Sequence, residues 1–507
     1  MKYLPLKNTS TLLTLLFFAG LSFTGQAQSY NVKPGQNNGF GSYEDENDNV
    51  IRNHPYTIFN RNETFAVQLE NVRAKIQNSL QMRGIYTVNI FSLRAYVSPS
   101  WLIDGKHKPP EGIDQAAVHA KNAAFVYLLG LDNNGNDIKG TQAHTDSKTD
   151  ALRMLDEMNT VIRTGAKSWQ WGSKNLMMYL QAYDMLMAIP NQNDPDITLT
   201  TTELENLTNI RLHLQAFAQN LYQHSNGLWS ALWRRNNHSV MVASTLGMAA
   251  VVLNNCGHKR NRESWHPQEW ANAAHCVINR SLWTARSGNV LSERGDNTAG
   301  YAEGPHYFNF AFENAIPFFV AFNNFIPGEN RQTYSYNYLN QEVINYMLDL
   351  DYYTNLYNWY RDILLPNGDL PSNDNTHVRR QWPSTLGLLR NQEYNIRLPF
   401  KDGNNASLIV DYIVAAELPP DPGFQANLIN ILYRNTGVAV LKTPPTAPDQ
   451  HYIQILAENG SSVNGAGHEE PDATSIIITA GDELLVITPD IWDGPGGLPL
   501  IRPNIII

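Results

Sequence analysis

The sequence has few cysteines, no excess of basic residues and few long apolar runs, and each shortage excludes a class of protein. Only Cys256 and Cys276 occur, too few for a cysteine metal cluster or a disulfide scaffold. They leave two alternatives open: one disulfide, or two buried thiols. The formal net charge is −10. An acidic chain gains nothing from counterion release on DNA, so nucleic acid is not expected as a partner.

The one prominent apolar run, Leu12–Phe23, lies close to the N-terminus. Lys2 and Lys7 precede it, and small residues at 25 and 27 follow it, which is the pattern of a secretory signal peptide. The run is too short to span a bilayer. We therefore expect cleavage after Ala27 and an exported protein, periplasmic or extracellular, with a bacterial type of signal peptide and no membrane span.

Hydrophobic periodicity divides the remaining chain near Pro419. Helical spacing predicts helices over Thr149–Thr164, Asn175–Ile189, Glu203–Tyr222, Val240–Leu253, Phe308–Phe325 and Gln341–Leu365. Alternation predicts strands over Gly437–Thr443, His451–Glu458, Ser475–Thr479 and Glu483–Thr488, with a hairpin turn at 480–482. The predicted organisation is a signal peptide (1–27), a helical domain (28–418) and a β domain (419–507). The apolar run Asn504–Ile507 suggests a β domain that is short or truncated.

The segment WRRNNHSVMVAS (233–244) joins polar residues to an apolar helix. Val240–Leu253 has no polar face, which predicts a helix buried on all sides. Asn237 and His238 would then lie at its beginning, where they could act on a ligand. The structural alternative is that Asn236 or Asn237 caps the free amides of the first turn.

Two further segments concentrate polar and aromatic side chains. The Gly/Pro-rich loop NTAGYAEGPHYFNF (297–310) precedes a predicted helix, and loops of this composition often line sites. It carries Tyr301, Glu303, His306 and Tyr307, and its structural alternative is an aromatic loop packed on the domain. The segment NGAGHEEPDATS (464–475) lies between two predicted strands and carries His468, although acidic loops are often solvated turns.

Taken in order, these three segments resemble the heparinase II/III-like polysaccharide lyases. The matching elements are an Asn-His pair at an inner helix, a Tyr-Ala-Glu-Gly-Pro-x-Tyr loop and a Gly-His-x-x-x-Asp-Ala-x-Ser segment in a β domain. Residues 169–187 fit as well. The resemblance implies an α+β multidomain fold, in which an incomplete (α/α) toroid precedes an antiparallel β-sandwich. It also implies β-elimination on an anionic, uronic-acid-containing polysaccharide.

The chemistry of β-elimination explains the residue types. Removing the C5 proton of a uronate builds negative charge on its carboxyl group, which the neutral amide of Asn237 can hold. His238 and Tyr307 form the acid–base pair that the resemblance implies, with their two roles left open and Tyr301 as the rival to Tyr307. His468 matches a second active-site histidine. Candidate substrate contacts are Arg234, Arg235, Tyr301, Glu303, His306, Asp374, Asn375 and His377.

The sequence departs from the family at the zinc site. Glu470, Thr488 and Pro503 occupy the positions at which ligands are expected, and threonine and proline are poor zinc ligands. We therefore expect no metal and no cofactor, although Asp490 could help the acidic residues to hold a harder ion such as Ca²⁺.

Two other functions compete with the lyase hypothesis. A glycoside hydrolase on an (α/α) toroid would need two carboxylates across the scissile bond, with Glu293, Asp296 and Glu303 as candidates. A catalytically inactive glycan-binding protein would keep the fold alone. In addition, Asn237-His-Ser239 is an N-glycosylation sequon, which would conflict with a site at Asn237 unless this residue is inaccessible or the exporting cell is bacterial.

Overall fold

The protein is described here from a computed structural model. The described residues are 54–59, 64–99, 115–163, 170–192, 194–225, 237–254, 267–283, 304–325, 335–338, 341–344, 359, 362–365, 369–371, 379–380, 408–415, 430–433, 438–443, 451–456, 475–480 and 483–486. All of them belong to one compact unit, Asn37–Ile507. Helices predominate, and one larger antiparallel sheet follows them, so the fold is of the α+β class.

The described helices are α1 (Phe65–Asn78), α2 (Leu80–Asn89), α3 (Gln115–Leu129), α4 (Gln142–Arg163), α5 (Gln170–Met187), α6 (Thr201–Ser225), α7 (Asn237–Val252), α8 (Pro267–Trp283), α9 (Gly304–Phe325) and α10 (Ile409–Ala415). Five of the six predicted helices are confirmed as α4, α5, α6, α7 and α9. The prediction that α7 is buried on all sides is confirmed too, because its described side chains are buried apart from those of His238 and Val242. Such a helix belongs inside a core.

The described strands are β1 (Ser335–Tyr338), β2 (Gln341–Ile344), β3 (Asp369–Leu370), β4 (Arg379–Arg380), β5 (Ile431–Tyr433), β6 (Val438–Lys442), β7 (His451–Leu456), β8 (Ser475–Ala480) and β9 (Glu483–Val486). Strands β5 to β9 form one antiparallel sheet in chain order, which confirms the four predicted strands. Ala480 pairs with Glu483, as the predicted turn requires.

The predicted helix Gln341–Leu365 is wrong at its beginning. Residues Gln341–Ile344 form strand β2, which pairs with β1 through Tyr338 and Gln341. Only Leu339 and Asn340 separate the two strands in sequence, the length of a tight hairpin connection, and asparagine favours such turns. The helical spacing of the apolar residues was therefore a weaker determinant than the local turn sequence.

Helices α3, α5 and α9 end at the same short segment, residues 54–59, which we call the anchor segment. Asp184 near the end of α5 accepts the N–H of Tyr56 at 2.9 Å. Asn324 near the end of α9 donates to the carbonyl of Tyr56 at 3.1 Å. Phe125 near the end of α3 stacks on Phe59, with ring centroids 6.4 Å apart. The three helices thus end together, and we call this the anchor end.

Helix α7 runs parallel to α9. Asn314 donates to the hydroxyl of Thr245 at 3.1 Å. Further along both helices, a Cβ atom built on Gly247 would overlap the ring of Phe318. Both contacts move towards higher residue numbers on both helices, from Thr245 with Asn314 to Gly247 with Phe318, so the two helices are parallel. The missing side chain at Gly247 allows the two helices to approach closely.

Helices α4 and α6 run the opposite way. Tyr127 at the end of α3 stacks on His144 at the beginning of α4, with centroids 4.4 Å apart. Lys148 in α4 pairs with Glu203 at the beginning of α6 at 2.9 Å. Helices α4 and α6 therefore begin where α3 ends. From α3 to α7, the chain alternates between helices that run towards the anchor end and helices that run away from it.

Candidate functional site

The candidate site lies where α7 and α9 begin, which we call the site end. Asn237 is the first residue of α7 and is 3% exposed, while His238 is half-buried. The side-chain oxygen of Asn237 accepts the backbone N–H of His238 at 2.9 Å. This bond satisfies a free amide of the first turn, but it joins neighbouring residues, whereas a capping side chain accepts from an N–H two or three residues further on. The bond also assigns the side-chain nitrogen of Asn237 as the end of the amide that donates.

Helix α9 begins with Gly304 and Pro305, so that His306 and Tyr307 belong to its first turn. Proline is favoured at the beginning of a helix because its φ angle is already helical and the missing N–H would have no partner there. The sequence thus favours a helix that begins three residues before Tyr307. Tyr301 and Glu303 precede the helix and lie outside the described residues.

The contact between Thr245 and Asn314 relates the two candidate positions to each other. His238 lies seven residues before Thr245, and Tyr307 lies seven residues before Asn314. Seven residues are about two helical turns, or about 10 Å, and return to the same side of a helix. Because α7 and α9 are parallel and Thr245 contacts Asn314, the backbones of His238 and Tyr307 lie at levels that agree to within about one turn on the neighbouring sides of the two helices.

A layer of buried polar side chains lies below these positions, towards the anchor end. Its members, which we call the polar layer, are Ser173, Lys174, Thr245, Glu313 and Asn314. All five are at most 2% exposed. Lys174 and Glu313 form an ion pair between α5 and α9. The hydroxyl of Thr245 lies 3.0 Å from the carbonyl of Ser173, and Asn314 also donates to the carbonyl of Met241 at 3.3 Å. The layer joins all three helices.

The helix beginnings give the site end a positive electrostatic character. The first backbone N–H groups of each helix point out of its beginning, and the helix dipole adds partial positive charge there. None of α5, α7 and α9 carries an acidic residue in its first turn. Lys174 and Glu313 both lie on the Thr245 level, and α5 begins only four residues before Lys174. Helices α7 and α9 begin eight and nine residues before Thr245 and Glu313, so their beginnings lie at similar levels, whereas α5 begins about one turn nearer the anchor end. The paired beginnings of α7 and α9 suit an anionic ligand.

Most of the other predicted site residues lie outside the described part of the chain. These are Arg234, Arg235, Asp374, Asn375, His377 and His468, the expected zinc positions Glu470, Thr488 and Pro503, and the hydrolase candidates Glu293 and Asp296. Cys276 is described and buried, whereas Cys256 is not described. Among the described residues, no three His, Cys, Asp or Glu side chains are grouped as a metal site would need. Nor does any described helix combine the length and apolar character needed to cross a membrane.

The polar layer was missed from the sequence, although a signal was present. Lys174 and Glu313 are charged residues inside otherwise apolar helical segments, NLMMYLQAYDMLM with its preceding SK and FNFAFENAIPFF. Charged side chains are almost never fully buried unless they are paired, so two of them in buried helices predict a partner for each. The sequence alone does not say that the two are each other's partner.

No protein-family model matches this sequence, and no functionally curated protein is significantly similar to it.

Proposed function

We propose that the protein is a polysaccharide lyase, a carbon–oxygen lyase that cleaves a uronic-acid-containing polysaccharide by β-elimination. The observation that carries the proposal is that His238 and Tyr307 lie at similar axial levels on two parallel helices that contact each other directly. β-Elimination needs an acid and a base on the same sugar unit, and two residues at one level of neighbouring helices can both reach it.

The residues have complementary tasks in this reaction. The donating nitrogen of Asn237 holds the uronate carboxyl, where the negative charge develops. One of His238 and Tyr307 takes the C5 proton, and the electron pair of the C5–H bond forms the C4–C5 double bond. The C4–O4 bond breaks, and the departing O4 takes a proton from the other residue. The products are a chain with a new hydroxyl end and one with an unsaturated uronate end.

The buried position of Asn237 supports its role. A preorganised amide in a low-dielectric environment stabilises developing charge more strongly than one in water, because solvent does not compete for it. The adjacent helix beginnings add to the attraction for a carboxylate. His468, the arginines at 234 and 235 and the other predicted contacts stay part of the proposal as residues for which no geometry is described.

The proposed architecture is an incomplete (α/α) toroid followed by a β-sandwich. The alternation of helix direction from α3 to α7 supports the toroid, because such a fold is built from successive antiparallel helix pairs. One face of the five-stranded sheet belongs to the core through Val440, Tyr452 and Ile477. Side chains of the other face are exposed and aliphatic: Leu432, Leu441 and Ile476. A second sheet packed on this face would complete a sandwich.

The test is incubation of the full-length protein with alginate, heparan sulfate and hyaluronan, and with starch as a polymer that lacks uronate. A lyase produces the ultraviolet absorbance of the unsaturated uronate together with new chain ends. New reducing ends without that absorbance would instead indicate a hydrolase. Retention of a polymer without any cleavage would indicate a glycan-binding protein. Either result contradicts the proposal.

Substitutions then test the site. His238→Ala and Tyr307→Phe are each expected to lower kcat by about 10²–10⁴-fold, the usual contribution of general acid–base catalysis. Matched controls are His451→Ala, at an exposed position in β7, and Tyr96→Phe, which removes only a hydroxyl that lies 2.6 Å from Glu157. Unchanged kcat in both site variants would show that the residues are misassigned. Asn237→Ala with unchanged kcat would leave Asn237 a cap alone.

A further inference from the structure

Two helices can bring their first turns together only if they are held at a fixed axial position relative to each other. Close-packed apolar side chains already resist axial shifts, because a packed interior has few voids. Directional hydrogen bonds add a further constraint, since their strength falls steeply with misalignment. The polar layer contains such directional contacts, between the helices that carry the candidate acid–base pair.

Asn314 is the member that joins α9 directly to α7. Its side-chain nitrogen donates to Thr245 at 3.1 Å and to the carbonyl of Met241 at 3.3 Å. The two acceptor atoms are themselves 3.0 Å apart, so Asn314 bonds to a single point on α7, and a shift of either helix along its axis away from that point lengthens the bonds. Tyr307 lies two turns before Asn314 on α9, and His238 two turns before Thr245 on α7.

The contacts of Thr245 extend the layer to α5. Its hydroxyl lies 3.0 Å from the carbonyl of Ser173 as well as 3.0 Å from that of Met241. The neighbouring Lys174 pairs with Glu313, the residue that precedes Asn314. Two adjacent residues of α9 are therefore fixed by two adjacent residues of α5 and by one turn of α7.

We propose that Asn314 is a positioning residue for catalysis, which holds the axial register between α7 and α9 and thereby keeps His238 level with Tyr307. The inference rests on the proposed function. Asn314 lies about 10 Å from Tyr307 along α9, towards the anchor end, and would nevertheless affect the chemical step. A misplacement of about 1 Å at the reacting groups can cost about 10²-fold in rate.

The test substitution is Asn314→Leu, which keeps the side-chain size and removes the donor. Loss of the donor leaves both acceptors with other partners, because the carbonyl of Met241 is still contacted by the hydroxyl of Thr245. The fold is therefore expected to persist. The matched control is Asn324→Leu on the same helix. Asn324 is also buried and also donates to two carbonyls, those of Tyr56 and Phe59, but at the anchor end.

The activity measurement uses whichever of alginate, heparan sulfate and hyaluronan the unmodified protein cleaves fastest. Asn314→Leu is expected to lower kcat by about 10-fold to 10²-fold with KM changed less than about threefold, since the helix beginnings that attract the polymer are retained. Asn324→Leu is expected to leave both constants unchanged at temperatures where it is folded. Equal kcat losses in the two variants would overturn the proposal, because they would indicate a general effect of destabilisation.

A double-mutant cycle identifies the group through which Asn314 acts. In a Tyr307→Phe background, adding Asn314→Leu should lower the residual kcat less than about twofold, since register no longer matters when one partner is absent. Full additivity of the two losses would overturn the inference.

A measurement without substrate separates this inference from the proposed function. Cysteines are introduced at 238 and 307, and a short bifunctional thiol reagent is applied to the full-length protein. Cross-linking should be efficient in this variant, at least about fivefold slower when Asn314→Leu is added, and unchanged when Asn324→Leu is added. Cross-linking that is insensitive to Asn314→Leu would contradict the register role. If Asn314→Leu slows cross-linking as expected but the unmodified protein cleaves no uronic-acid polysaccharide, the register role stands and the proposed function is contradicted.

Discussion

The two ends of the same parallel helices are held together in different ways. At the anchor end, α5 and α9 are each bonded to a separate piece of chain, residues 54–59, and Asp184 and Asn324 bond to its backbone. At the site end, the helices are bonded to one another through side chains, by Lys174 with Glu313 and by Asn314 with Thr245. The anchor end should therefore dominate stability. The site end should dominate the relative position of the helices, and hence activity.

The largest expected effect on stability is at Asp184. Its carboxylate, which is fully buried, accepts the N–H groups of Tyr56 and Thr57 and the hydroxyl of Thr57, and it lies 2.5 Å from a ring nitrogen of His54. Asp184→Ala leaves these donors without an acceptor, and each buried unsatisfied donor costs about 1–3 kcal/mol. We expect a loss on the order of 5 kcal/mol in the free energy of unfolding, measured in urea.

The control for Asp184→Ala is Asp196→Ala, at an exposed position between α5 and α6. It should change the free energy of unfolding by less than about 0.5 kcal/mol. A comparably small change for Asp184→Ala would show that the anchor end does not dominate stability.

The next largest effect on stability is expected at two buried ion pairs, which can be compared with each other. Lys174 pairs with Glu313 in the polar layer, and Lys121 in α3 pairs with Asp411 in α10. Lys174→Met or Lys121→Met leaves a buried carboxylate without its cation, and each is expected to lose about 3 kcal/mol in unfolding measurements. Only the Lys174 variant should also lose kcat while it is folded, because only its pair belongs to the polar layer.

Removing both charges sharpens that comparison. Replacing a buried ion pair by apolar residues is often neutral for stability. The double variant with Lys174→Met and Glu313→Leu should therefore recover most of the lost stability without recovering kcat. If the double variant recovered both stability and kcat, the ion pair of Lys174 and Glu313 would affect activity only through stability.

Local patterns predicted the helices more reliably than their arrangement. Apolar spacing predicted the ends of α4, α5 and α6 to within three residues, but it placed the beginnings of α4 and α5 seven and five residues too late. The burial of α7 followed from its lack of polar positions. Helices α1, α2, α3, α8 and α10 were not predicted. In α3 the reason is visible, since nearly every residue is buried and no amphipathic period remains.

The site was predicted as residues and not as geometry. Asn237, His238 and Tyr307 were singled out by the motifs around them, but the sequence does not state which helices are neighbours or in which direction they run. That information resides in contacts between distant positions, such as Thr245 with Asn314 and Gly247 with Phe318. One sequence shows these residues only as isolated polar or small positions.

A smaller effect is expected where α7 and α9 approach most closely. Gly247→Ala would place a methyl group in the volume of the Phe318 ring. Overpacking of this kind costs about 1–3 kcal/mol, and the better helix propensity of alanine offsets about 1 kcal/mol. We expect a net loss of about 0–2 kcal/mol in the free energy of unfolding, measured in urea. Phe318→Leu lowers the free energy of unfolding of the unmodified protein, and it should lower that of the Gly247→Ala variant less. Equal losses in the unmodified protein and in the Gly247→Ala variant would exclude a clash between the new methyl group and the Phe318 ring.

The smallest expected effect lies at the beginning of α6, on a helix that starts near the anchor end. Glu203 accepts the N–H of Thr200 at 2.7 Å, while the N–H of Glu203 lies 3.3 Å from the hydroxyl of Thr200, the reciprocal pattern of a capping box. Burial acts to raise the pKa of Glu203, but the hydrogen bonds from Lys148 and Thr200 outweigh it, so that the pKa is lowered. The ionised carboxylate is thus favoured by folding.

A lowered pKa in the folded state fixes the direction of the pH dependence. The unfolded chain binds the proton more readily, so Glu203 stabilises the protein above its unfolded pKa of about 4.3, and this contribution is lost as the pH falls through the folded pKa. Because the side chain is partly exposed, Glu203→Gln should cost less than about 1 kcal/mol at neutral pH. Urea unfolding at neutral and acidic pH should show the difference from the unmodified protein disappearing in acid. Glu205→Gln, exposed on the same helix, serves as the control, and a Glu203→Gln difference that grew in acid would contradict the assignment.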